Sequence, residues 1–77
     1  MVIEIPYRHI RDLRQDRNYT QAVVAKAIGM AQNTYSQHEI GRIELTASVL
    51  IRLADFYGVS VDYLLDRTEN PKPYPKK

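Results

Sequence analysis

The sequence predicts an all-α fold, a compact bundle of five short helices. Three observations carry that prediction. Apolar residues recur at three- and four-residue spacing through most of the chain, which is the period of one helix face. Thr20, Thr46 and Ser60 each stand just ahead of such a stretch, where a hydroxyl accepts an otherwise orphaned backbone N–H. Gly29, Gly41 and Gly58 each follow one, where a left-handed backbone ends a helix.

Residues 1–6 are expected to form an extended N-terminal arm, because "VIEI" alternates loosely and stops at Pro6. Helical spacing starts at Tyr7 and continues through Ile10 and Leu13, with Arg and Asp on the other faces. This first helix should fade near Asn18. The second, "QAVVAKAI", follows its cap Thr20, turns Val24, Ala25 and Ile28 to one side, and stops at Gly29. A third runs from about Gln32 to Glu39 and is closed by Gly41. The longest pattern is "IELTASVLIRLADFYG", where Leu50, Leu53, Ala54 and Tyr57 fall at i, i+3, i+4 and i+7 between Thr46 and Gly58. Ser60 then caps "VDYLLD", with Val61, Leu64 and Leu65 facing inward. Residues 68–77, "TENPKPYPKK", hold three prolines and three lysines and read as a flexible tail. None of these helices is long enough to be stable alone in water, so their apolar stripes must cover one another.

The totals narrow the function. Seventy-seven residues make one domain, and a chain this short buries only about 60% of its unfolded surface. It has no cysteine, which excludes disulfides and cysteine-ligated zinc. No apolar run approaches the roughly 20 residues that span a bilayer, and the first residues lack a signal-peptide pattern. A cytoplasmic location is expected. A net charge of +2 and a pI near 9.0 permit nucleic-acid binding without demanding it. No enzyme is expected: Ser36, His38 and Glu39 are close in sequence but point around different faces of one short helix. His9 and His38, 29 positions apart, make no metal site. No glycine-rich phosphate loop is present, and no cofactor is implied. His9 itself reads as ordinary surface.

One stretch resists a core reading. "GMAQNTYSQHE" is crowded with amides and hydroxyls and has no Lys or Arg. Its setting is informative. Two helices meeting at roughly 100° over a short turn need a small residue at their contact, one tolerating positive φ in the turn, and an apolar residue pointing back from the second helix. Ala25, Gly29 and Tyr35 stand at those places. This is the spacing of a helix-turn-helix across helices two and three.

With these residues in view, the chain resembles the Cro/CI-type, or Xre-like, helix-turn-helix family of phage repressors and bacterial regulators. The likeness covers about residues 7–68. It is carried by "IRDLRQDRNYTQAVVAKAIGMAQNTYSQHEIGR" and "VLIRLADFYGVSVDYLLDRT". Ala31 stands where the family often has a capping Ser or Thr, and His38 where an aromatic or aliphatic residue is common. The resemblance implies a five-helix bundle of the phage-repressor DNA-binding type. It also implies an ion pair between Arg14 and Glu39 that fixes the angle of the reading helix.

If helix three enters a major groove, Gln32, Asn33, Thr34, Ser36 and Gln37 are the candidate base readers. Amides offer a donor and an acceptor together, and hydroxyls and the Thr methyl suit base edges. Gln21, Arg42, Arg11 and Lys26 are candidate phosphate contacts, with Arg8 and the tail lysines behind them. The expected activity is sequence-specific binding of double-stranded DNA by a transcriptional regulator, with repression favoured over activation. A homodimer on a palindromic operator is expected, with Tyr57, Tyr63, Leu64 and the arm Val2–Ile5 as candidate contacts between copies. The competing reading is an antitoxin or protein-binding regulator, in which the same fold grips a toxin or co-regulator.

Overall fold

The computed structural model describes residues 7–75. The expected arm at 1–6, with its contact segment Val2–Ile5, and the last two lysines lie outside the described residues. Five helices follow in order: α1 Arg8–Asp16, α2 Gln21–Ala27, α3 Gln32–Glu39, α4 Ala47–Tyr57 and α5 Val61–Leu64. Among the described residues there is no strand. The all-α expectation is met, element by element.

The local signals act as expected at three helix starts. Thr20 Oγ1 accepts from the Val23 amide at 3.2 Å, Thr46 Oγ1 from Val49 at 3.2 Å, and Ser60 Oγ from Tyr63 at 3.0 Å. Ala31 offers α3 no such bond. Nor does Tyr7, the cap residue of α1. There the cap comes from the far end of the domain. The Asp66 carboxylate accepts from the amides of Arg8 at 2.9 Å and His9 at 3.1 Å. A carboxylate at a helix N-terminus satisfies orphan donors and opposes the helix dipole.

Helix ends repeat one device. After α3 the backbone turns left-handed at Gly41, with φ +83°. The Gly41 amide bonds back to His38 and the Arg42 amide to Gln37, a paired arrangement that satisfies the last carbonyls. The same device closes α1 and α5 with non-glycine residues, Asn18 at φ +57° and Asp66 at φ +60°. α1 therefore ends at Asp16, slightly before the Asn18 expected from its pattern.

The core forms where the apolar stripes meet. Tyr35, Ile10, Leu53, Leu64 and Val24 are its largest fully buried side chains. α2 packs on α3, and α5 closes the bundle by packing on both α4 and α1. Burial corrects two candidate dimer contacts. Tyr57 is 3% exposed and Leu64 is wholly buried, because both belong to the inward stripes that hold α4 and α5 together. Tyr57 lies under the Arg17 guanidinium, 5.2 Å from its ring centroid, and burial pushes its hydroxyl up to about 12. Neither residue presents a face to a second copy.

The tail does not leave the domain at residue 68. Ser60 donates its amide to the Pro71 carbonyl at 3.1 Å, and the Tyr74 hydroxyl donates to Asp62 at 2.7 Å. Residues 71–74 thus lie along α5.

Candidate nucleic-acid interface

α3 has two unlike faces. Tyr35, His38 and Glu39 are buried, at i, i+3 and i+4. Gln32, Asn33 and Thr34 are exposed, and Ser36 and Gln37 half-buried. Asn33 and Gln37, four apart, share the outer side, as the helical period requires. Among the described residues, no side-chain hydrogen bond involves any of these five outward residues. The outer face is therefore uncharged, polar and unpaired. Ile40, exposed and seven positions after Asn33, extends it with an apolar group. Sequence reasoning did not single out Ile40 as part of that face; its spacing from Asn33 and Ser36 was the available signal.

The inner face anchors the helix. Arg14 Nη2 donates to Glu39 Oε1 at 2.7 Å, and Arg14 Nε lies 3.2 Å and 3.0 Å from the two carboxylate oxygens. The Arg14 Nη1 donates to the Tyr19 carbonyl at 3.1 Å, and Gln21 Nε2 to Glu39 Oε1 at 3.4 Å. One arginine thus ties α1, the α1–α2 link and the end of α3 together. Their side chains are 14% and 3% exposed. Burial by itself would raise the Glu39 carboxyl; the hydrogen bonds and charge of Arg14, with help from Tyr35 and Gln21, outweigh it and hold the group lowered. The bond to Glu39 raises the Arg14 guanidinium in turn. Tyr35 is raised, first by burial and then by Glu39. Its hydroxyl makes no hydrogen bond by distance and angle, so its link to Glu39 is electrostatic proximity.

The candidate phosphate contacts separate. Gln21, at the start of α2, joins the Arg14–Glu39 group and stays half-exposed. Arg42 is exposed directly after the cap of α3. Arg11 is exposed on α1. Lys26 lies at the other end of α2, in a shallow cleft with Arg52, Asp55 and Phe56, and is not brought to the Gln21 end. Tyr63, the remaining candidate dimer contact, is half-exposed but already stacked on His9, with ring centroids 4.0 Å apart and planes 8° from parallel. His9 is not ordinary surface: its Nδ1 lies 2.7 Å from the Tyr63 carbonyl and 3.0 Å from Asp66. Nothing within four residues of His9 announces either partner.

The sequence that builds α2, the turn and α3 has clear relatives. The helix-turn-helix family matches residues 10–64. The chain is 40% identical over 60 residues to the cryptic phage CTXphi transcriptional repressor RstR of Vibrio cholerae, covering 78% of this chain and 54% of that protein. It is 35% identical over 66 residues to the HTH-type transcriptional regulator YobD of Bacillus subtilis, covering 86% and 59%. It is 31% identical over 65 residues to the regulator ImmR of the same organism, covering 84% and 51%. The chain spans about half the length of these curated relatives. Fold, turn geometry and sequence match agree, and the chain belongs to the Xre-like helix-turn-helix family.

Proposed function

We propose that this chain binds double-stranded DNA sequence-specifically, with the outer face of α3 in the major groove, as the reading domain of a transcriptional regulator. The observation that carries the proposal is the uncharged, unpaired polar face of α3 held rigidly from behind by Arg14 and Glu39. Side-chain amides with no partner among the described residues are free to pair with base edges, and Gln and Asn match adenine N6 and N7. Gln32, Asn33 and Gln37 are the principal readers, with Thr34 and Ser36 beside them. Arg42, Gln21 and Arg11 are the phosphate contacts that set register; Lys26 is the outlying one.

Repression is the favoured outcome, in keeping with the relative named as a phage repressor. Two copies on a palindromic operator, with half-sites about 34 Å apart, would double the few base pairs one short helix can read. The direct test is selection of bound duplexes from a random pool. Enrichment of a two-fold symmetric sequence, bound by two chains, is the expected result. A chain that enriches nothing, even in low salt, would shift the reading to a protein-binding regulator such as an antitoxin.

A further inference from the structure

A branched apolar side chain closes the polar outer face of α3. Ile40 is 42% exposed and belongs neither to the buried core nor to the partly buried side chains packed against it. A single exposed isoleucine is ordinary on a protein surface; the position of this one is not. Its amide donates to the Ser36 carbonyl at 3.1 Å, so Ile40 still follows the turn of α3 although it is the cap residue. The left-handed backbone begins only at Gly41. Seven residues past Asn33, Ile40 stands within about 20° of it around the helix and about 10 Å farther along the axis. Ser36 and Gln37 lie to either side, and the buried Tyr35, His38 and Glu39 point the opposite way. Ile43, the next exposed isoleucine, instead lines a cleft with His38, Leu50 and Leu65 on the inner side of α3.

We propose that Ile40 is a specificity-determining residue that packs on the C5-methyl group of a thymine in the major groove. This rests on the proposed entry of α3 into that groove and adds a reader that works by apolar contact rather than by hydrogen bonding. The thymine methyl is the apolar group that base pairs present there. The amides of Asn33 and Gln37 have no hydrogen bond to offer it. A branched alkyl side chain covers it, and both lose apolar surface to water. The methyl also stands next to the backbone of its own strand. Arg42, the proposed phosphate contact, is two residues after Ile40, so the end of α3 lies against the groove wall, where that methyl is. About 10 Å along the helix corresponds to at most about three base-pair steps. The thymine therefore falls within about three base pairs of the one that Asn33 reads. A protein partner fits this place less well, because the core of a protein interface is a contiguous apolar patch, and the neighbours of Ile40 on this face are Asn33, Ser36 and Gln37.

The experiment starts from the duplex that the chain selects from a random pool. Each thymine in it is replaced in turn by deoxyuridine, which lacks only the methyl group, and affinities are measured for the wild type and for Ile40→Ala. At one thymine, loss of the methyl should weaken the wild type about fourfold, the worth of one buried methyl-sized group. Ile40→Ala should bind the unmodified duplex more weakly by at least that factor and should be indifferent to the same replacement, the non-additivity expected of two groups in contact. Ile40→Val should keep most of the wild-type sensitivity. A loss at a thymine touched instead by the Thr34 methyl should persist in Ile40→Ala. Each variant is compared with itself on two duplexes, so a change in its folding stability does not imitate the result. Equal sensitivity of wild type and Ile40→Ala at every thymine, or a preferred duplex in which no thymine methyl matters, overturns the proposal and leaves Ile40 to a protein partner. In that case Gln37→Ala still weakens the preferred duplex, and the DNA-reading proposal stands. A chain that selects no duplex at all overturns both, because Ile40 then has no groove to enter.

Discussion

On the outer side of α3, the side chains of Gln32, Asn33 and Gln37 make no hydrogen bond among the described residues. On the inner side, one turn of helix away, the Glu39 carboxylate is gripped by Arg14 and touched by Gln21. Both faces are polar, and both come from one run of eight residues. The difference is that a group satisfied inside the protein is no longer available to recognise anything, while an unsatisfied one at the surface is. A buried charge that lacks its partner is costly, so Glu39 and Arg14 specify how α3 sits. The neutral outer side chains lose little in water and, in the proposed function, are free to vary with the sequence they would read. Rigid support behind and open valence in front are what a reading helix needs.

Removing the support should have the largest effect. Glu39→Ala strands the Arg14 cation in a mostly buried place, and breaking such a pair costs about 3–5 kcal/mol. A domain of this size has on the order of 5 kcal/mol in total. Denaturant melts should therefore show most of the stability lost; an unchanged midpoint would erase the contrast between the two faces. The same pair gives a pH signature. Folding holds the Glu39 carboxyl below its usual value of 4.5. Its contribution is complete above that value and drains away as pH falls through the lower folded-state value. Glu39→Gln should flatten that acid-range loss.

A change on the outer face should leave melting alone and act on binding. Gln37→Ala is expected to cost about 1–3 kcal/mol on the preferred duplex and almost nothing on random DNA. Equal weakening on both would mean that the outer face holds backbone rather than reads bases. Asp66→Ala probes a third kind of polar group, one satisfied across the whole chain. Loss of its cap on α1 should lower stability by about 1 kcal/mol, with Asp66→Asn losing less, and DNA preference should stay as it was. Arg42→Ala should be the mildest, weakening preferred and random duplexes alike and reducing the slope of log affinity against log salt by about 0.9. Titrations at several salt concentrations separate this from the effect at Gln37.

The sequence by itself determined the helices. Caps and stops are local: the Thr20, Thr46 and Ser60 hydroxyls reach amides three residues on, and Gly29, Gly41 and Gly58 turn left-handed where each helix must end. Such bonds join neighbours along the chain, so residue type and spacing carry them. The split of α3 into an inward and an outward face was also foreshadowed, because Tyr35 and Glu39 keep the helical period of the core while Asn33 and Gln37 lie off it. Tertiary structure alone decided the rest. Asp66 caps a helix 58 positions earlier; His9 meets Tyr63 and Asp66; and the cleft beside His38 draws its walls from residues 7 to 65. Tyr57 and Leu64 show the same limit from the other side. Their patterns identify an apolar stripe, but whether a stripe is covered by the chain's own helices or left for a second copy depends on how three-dimensional packing brings those helices together. Periodicity reports which face of a helix is apolar; only the packed bundle determines what that face meets.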